Sequence, residues 1–155
     1  MPNTKSVLNS LQVPRLELLS HPLFSKQGVS VAVLRLDQIH PTIHGNKWFK
    51  LKRNLADLRA RGRRRVLSFG GAYSNHLYAL AAAGKAFGFE TIGVIRGEIV
   101  EPLNPVLAFA SAQGMQLVPL SRADYRLKES AEVIARLRAR FGDVEIIPEG
   151  GSNLL

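Results

Sequence analysis

Two short runs of residues carry types and spacings that could do covalent chemistry. The first is His44-Gly45-Asn46-Lys47, at the start of a helical pattern. The second lies about 25 residues further on: Ser68-Phe69-Gly70-Gly71-Ala72-Tyr73-Ser74-Asn75-His76, where a strand gives way to a helix. Lys47 offers a primary amine. Basic neighbours at Lys50, Lys52 and Arg53, together with partial burial, push such an amine toward its neutral, nucleophilic form. A single lysine near a helix start is still, taken alone, an ordinary solvated lysine. The second run says more. Two glycines after a strand allow a tight turn with exposed N–H groups, and the helix start adds unpaired donors, which makes an anion pocket. Ser74 and Asn75 suit helix capping, and a capping turn can also grip a carboxylate. An amine that condenses with an aldehyde, facing a carboxylate-binding corner, is equipment for amino-acid chemistry.

Other chemistries find less support. The chain has no cysteine, so thiolate nucleophiles, disulfides and Cys-ligated zinc are excluded. His21, His40 and His44 show no metal-ligand spacing, and no metal is expected. The glycines do not spell G-x-G-x-x-G, no Walker lysine follows them, and no G-x-S-x-G elbow is present. His76 could titrate near neutrality and is given a secondary, substrate-side role.

The elements that must position these groups are legible in outline. With 155 residues, 46% hydrophobic and 21% charged, the chain is sized for one compact domain. Residues 1–30 read as an extended arm, and Val31–Leu36 as a strand. From Asn46 to about Arg61, Trp48, Leu51, Leu55 and Leu58 recur at helical spacing, with Gly62 as a stop. Strands are expected at 66–69, 90–95, 115–120 and 144–147. Helices are expected from Ser74 or Asn75 to about Gly84, from Asn104 to Gln113, and from Arg126 to Phe141 with Leu127, Ala131, Ile134 and Phe141 on one face. Alternating strands and helices with short connections predict an α/β fold, an open twisted parallel four-stranded sheet with right-handed crossovers and flanking helices. Ligands bind such sheets at the carboxyl ends of the strands, where Gly70 to His76 fall.

A net charge of +9, from 21 Lys and Arg against 12 Asp and Glu, is concentrated between Lys50 and Arg65. Without interleaved aromatics or a nucleic-acid signature, a solvated basic face is the favoured reading. A basic domain binding nucleic acid, or a degenerate regulatory fragment, is the alternative to an enzyme. Met1-Pro2-Asn3-Thr4-Lys5 lacks the apolar run of a signal peptide and no stretch approaches membrane-spanning length, so the expected setting is the cytoplasm without a membrane.

Taken together, Gly45-Asn46-Lys47, Lys50-Leu51, Ser68-Phe69-Gly70-Gly71 with Ser74-Asn75-His76, and Ile147-Pro148-Glu149-Gly150-Gly151-Ser152-Asn153 resemble the pyridoxal-phosphate enzymes of the tryptophan-synthase-β group (fold-type II). Within it, they resemble the 1-aminocyclopropane-1-carboxylate deaminase and D-cysteine desulfhydrase branch. The resemblance implies pyridoxal 5'-phosphate as cofactor and Lys47 as its Schiff-base residue and proton shuttle. It implies that Asn75 bonds the cofactor's phenolic oxygen, that Asn46 supports lysine and ring, and that Ser74 holds the substrate carboxylate and helps proton transfer. Backbone around Tyr73 and His76, beside Asn75, completes the substrate corner. The implied reaction is that of a deaminase, desulfhydrase-type lyase or ring-opening hydrolase on a small amino acid, giving a 2-oxo acid and ammonia.

Family members are roughly twice this length, a two-domain size, and their phosphate-binding loop lies in the second half. The resemblance therefore implies residues 1–62 as arm, strand and lysine-bearing helix of the larger cofactor domain, 63–148 as the small α/β domain, and 149–155 as the start of the return to the larger domain. The expected partners are a small amino acid and either further copies of this chain or a missing C-terminal half. A fragment is expected to bind cofactor weakly and to show little activity alone.

Overall fold

The computed structural model describes residues 12–43 and 45–152; His44 and Asn153, both part of the motifs above, lie outside the described residues. Four parallel strands form the centre: β3 (Arg65–Gly70), β4 (Glu90–Arg96), β5 (Gln116–Leu120) and β6 (Glu145–Ile147), with spatial order β5-β4-β3-β6. Before them come β1 (Leu16–Leu19) and β2 (Val31–Leu34), paired antiparallel with Leu16 opposite Leu34. The helices are α1 (Pro22–Lys26), α2 (Asn46–Ala60), α3 (Asn75–Phe87), α4 (Pro105–Ala112), α5 (Arg122–Arg126) and α6 (Ala131–Phe141).

The apolar pattern dictates these layers. Val66-Leu67-Ser68-Phe69 and Thr91 to Ile95 are buried throughout, as strands covered on both faces must be. Successive side chains leave opposite faces. Val66 joins Leu51, Leu58, Leu77, Leu80 and Leu107 beneath α2, α3 and α4. Leu67 and Phe69 join Val94, Val118, Leu137 and Phe141 beneath α6. The chain runs from β3 outward through β4 to β5, then crosses back to β6 on the other side of β3. That reversal puts a crevice at the carboxyl ends of β3 and β6.

Three expectations differ from what is seen. The arm contains a strand and a short helix: β1 is too short, and too exposed along its whole length, to stand out in the sequence. Beyond Leu34 the expected strand gives way to a 3-10 turn at Leu36–Gln38. The helix expected from Arg126 to Phe141 is broken, because the Ser130 hydroxyl caps a new helix by accepting from the Val133 amide at 3.3 Å. Leu127 is consequently 60% exposed, and the buried face of α6 is Val133, Leu137 and Phe141. Among the described residues, no helix is long and apolar enough to cross a membrane.

Part of the basic run is neutralised within the fold. Arg61 pairs with Asp57 at 2.6 Å and Glu145 at 3.4 Å, Arg65 pairs with Glu90 at 3.0 Å, and Arg63 pairs with Asp143.

Candidate functional site

The loop before α2 is built to deliver Lys47. His40 Nδ1 accepts from the amides of Thr42 at 3.1 Å and Ile43 at 3.0 Å, closing a tight turn. Gly45 follows with φ +66°, a conformation that a Cβ would strain, and its amide donates to the Leu36 carbonyl at 2.7 Å. Asn46 and Lys47 then open α2, which is anchored by Trp48, Leu51, Leu55 and Leu58.

On the other side, Gly70 ends β3 where there is no room for a side chain. A Cβ there would stand 2.5 Å from Ser74 Oγ and 2.8 Å from Leu77 Cδ1. The turn brings the Ser74 amide to the Gly71 carbonyl at 3.0 Å. Ser74 caps α3, its hydroxyl accepting from the Leu77 amide at 3.3 Å and its carbonyl from the Tyr78 amide at 3.0 Å. The amides of Asn75 and His76 lie in the first turn, where no intrahelical acceptor exists.

These two helix starts face one another. Asn46, Lys47 and Asn75 line a single cleft of about 100 Å3, together with Thr42, Gly45, Tyr78 and Ala79. Sequence reasoning had not singled out Thr42, Tyr78 or Ala79. Tyr78 and Ala79 could have been found from helical spacing, being three and four residues after Asn75; Thr42 had no local signal. Tyr78 is fixed by stacking on Phe109, with ring centroids 3.8 Å apart. Burial, and then the nearby Lys50 ammonium, lower the Lys47 pKa below the ordinary lysine value. The shift is toward the neutral amine, opposite a side-chain amide.

Other expected site residues stand elsewhere. Ser74 and Tyr73 are not among the cleft's lining residues; Ser74 is half-buried beside it, and Tyr73 is 73% exposed. The His76 ring is not brought into the cleft. It is 3% exposed and lies under the turn, Nε2 2.8 Å from Ser68 Oγ. A larger groove of about 490 Å3 runs along α2, walled by Trp48, Leu55, Phe87 and Phe89 with Lys52, Arg53 and Arg59. Lys52 gives it an amine, but no hydroxyl or side-chain amide lines it, so size does not make it the candidate for covalent chemistry.

His76 makes the fold sensitive to acid. Burial foremost, then the Lys47 and Lys50 charges, lower its pKa from 6.5 to about 4, while Glu149 opposes them. The unfolded chain therefore binds a proton over a range where the folded chain does not. The contribution to stability is fully present above pH 6.5 and is lost as the pH falls toward about 4. The loss is of order 3 kcal/mol. Urea midpoints measured across this range should fall with acidification, and the slope should flatten in His76→Gln.

The reversing parallel sheet with helices on both faces has the architecture of the small domain of fold-type II pyridoxal-phosphate enzymes. A solved structure described as a 1-aminocyclopropane-1-carboxylate deaminase homologue superposes with a TM-score of 0.71 at 24% identity, over 99% of this chain and 49% of that one. A hydrogen sulfide-producing enzyme from Fusobacterium nucleatum superposes with a TM-score of 0.65 at 12% identity, over 90% of this chain and 44% of that one. No protein-family model matches the chain.

Among curated proteins, one from Thermotoga maritima named "Putative 1-aminocyclopropane-1-carboxylate deaminase" is 35% identical over 136 residues, covering 86% of this chain and 43% of that protein. A protein of the same name from Pyrococcus furiosus is 30% identical over 162 residues, covering 98% of this chain and 48% of that protein. The chain is similar to these deaminase-named proteins over most of its own length. It spans about half the length of the curated relatives it matches.

Proposed function

We propose that the chain supplies the amine-bearing and carboxylate-binding part of a pyridoxal-phosphate-dependent deaminase or desulfhydrase. It would act in the cytoplasm on a small amino acid such as 1-aminocyclopropane-1-carboxylate or D-cysteine, with a 2-oxo acid and ammonia as products. The observation that carries this is Lys47 and Asn75 lining one cleft, the amine depressed in basicity.

The residues fit one end of the cofactor. A lysine of lowered basicity suits attachment to an aldehyde, and the Asn75 amide can donate to a ring oxygen. A cleft of about 100 Å3 falls well below the roughly 300 Å3 of a small-molecule site. Enclosure of the ring and phosphate therefore needs further protein, from other copies of the chain or from a second half. Pyridoxal phosphate, when bound, supplies the electron sink for the carbanion formed from the amino acid.

The chain's own groups have separable tasks. Lys47 Nζ would hold the cofactor and would also hold and return the substrate proton. Asn75 orients the ring, and Asn46 supports lysine and ring from the first turn of α2. Ser74 Oγ and the amides of Tyr73, Asn75 and His76 receive the carboxylate at the start of α3, where the helix dipole favours an anion.

Competition before trapping tests this function. Chain equilibrated with pyridoxal phosphate is treated with an amino acid, then reduced with borohydride. Label on Lys47 should fall with 1-aminocyclopropane-1-carboxylate or D-cysteine and remain unchanged with propionate, which has no amino group. Equal loss with propionate would contradict an amino-acid substrate. The chain alone should lose its unreduced cofactor on gel filtration, because the cleft encloses only one end of it.

A further inference from the structure

His76 follows Asn75 on α3 and is used by none of the tasks above except through its backbone. Its surroundings fix its protonation. Ser68 Oγ lies 2.8 Å from His76 Nε2, 2.8 Å from the Ile147 carbonyl and 3.3 Å from the Pro148 carbonyl. A hydroxyl has one proton and a carbonyl only accepts, so Ser68 donates to the β6 end and accepts from His76. The imidazole proton is thereby assigned to Nε2, and Nδ1 is left as a bare acceptor.

That Nδ1 is buried without a hydrogen-bond partner. It faces the return turn: a Cβ on Gly151 would stand 3.3 Å from Nδ1 and 3.0 Å from Cε1. The ring is thus wedged between β3 and Gly151, at the crevice where the sheet reverses. The charges facing it are Lys47 and Lys50 from α2 and Glu149 from the return turn. Ser68 is fully buried with its proton committed to Ile147, so the pair is not a nucleophile and its base.

We propose that His76, as the neutral Nε2–H form, is a positioning residue. Acting through Ser68, it pins the segment from Ile147 to Gly151 against the first turn of α3 and so holds Asn75 opposite Lys47. The cofactor part of this inference rests on the function proposed above; the tie itself does not. A proton added at Nδ1 would put a donor against Gly151 with no acceptor and a further positive charge beside Lys47 and Lys50. Folding to the neutral form is accordingly favoured, in line with a pKa lowered to about 4.

Nitrogen-15 NMR of histidine-labelled chain without cofactor reads the tie directly. The expected signature is an Nε2–H imidazole that titrates near pH 4. An Nδ1–H tautomer, or titration at 6.5, overturns the proposal. His76→Leu and His76→Gln supply the second arm, since the glutamine amide can still donate toward Ser68. In folded His76→Leu the Asn75 side-chain amide resonances should move, and in His76→Gln they should return.

With pyridoxal phosphate and borohydride, Lys47 labelling should fall about tenfold or more in His76→Leu, as when a positioned group is displaced by on the order of 1 Å. His76→Gln should stay within about twofold of the unsubstituted chain. Unchanged Asn75 resonances and labelling in His76→Leu would overturn the role. If His76→Leu does not fold, His76→Gln decides: preserved shifts support the role, and lost labelling in a folded His76→Gln refutes it. Should the unsubstituted chain fail to label at Lys47, the cofactor reading fails while the NMR shifts still decide the tie.

Discussion

Substituting Gly70 by alanine should destabilise the chain by about 1–3 kcal/mol through overpacking, with about 1 kcal/mol more if the Ser74 cap is lost. The new methyl would stand 2.5 Å from Ser74 Oγ, 2.6 Å from Ser74 Cβ and 2.8 Å from Leu77 Cδ1. None of these atoms is the far end of a long flexible side chain. Ser74 must swing away from the Leu77 amide, or α3 must lift from the sheet. Either movement disturbs the corner assigned to the carboxylate, so competition by an amino acid should weaken together with stability. Urea denaturation of Gly70→Ala beside Gly71→Ala gives the comparison. A Cβ on Gly71 meets nothing nearer than Arg96 Nη2 at 3.8 Å, and that substitution should cost much less. Equal midpoints for the two variants would show the corner to be looser than described.

Lys47→Ala should abolish covalent attachment of pyridoxal phosphate while leaving the fold intact. The side chain is partly exposed and belongs to neither apolar cluster, so stability should change by no more than about 0.5 kcal/mol. Lys50→Ala should behave differently. Lys50 contributes to lowering the Lys47 pKa, so its removal raises that pKa, reduces the neutral amine at pH 7 and slows attachment without preventing it. The pH profile of labelling should shift toward the alkaline side. Absorbance of the bound cofactor and circular dichroism of the same samples check attachment and fold together. Attachment that survives Lys47→Ala would assign the chemistry to another amine.

Much of the fold is written in local pattern. Val66 to Phe69 and Thr91 to Ile95 are apolar runs of strand length, each followed by a helix with a visible cap, and such units admit essentially one handedness of crossover. Ser74 and Asn104 are helix N-caps in the structure, at positions where the sequence offered a capping side chain. The misplaced boundaries lie where local preference is weak or divided. Leu127 fits the apolar spacing of α6, yet the Ser130 cap wins and leaves it in solvent. β1, Leu16–Leu19, exists only through its pairing with β2, which no window of four residues reveals.

The site is legible in a different measure. That Lys47 and Asn75 would occupy separate helix starts followed from glycine and capping chemistry. Tyr78 lay within reach of helical spacing from Asn75, but the sharing of a cleft by Lys47, Asn75 and Thr42 is tertiary and had no local signal. The place of the His76 ring was hidden for the same reason. A histidine two residues past the Ser74 cap reads as substrate-side until β6 and Gly151 close over it, and that contact spans more than 70 residues of sequence.

The account rests on one amine being the group that takes an aldehyde. Borohydride reduction of the chain with pyridoxal phosphate at neutral pH, followed by peptide mass spectrometry, reads this directly. Label concentrated on the peptide bearing Lys47, ahead of Lys50, Lys52 and the remaining lysines, is the predicted result. Label spread over surface lysines with none on Lys47 would contradict it.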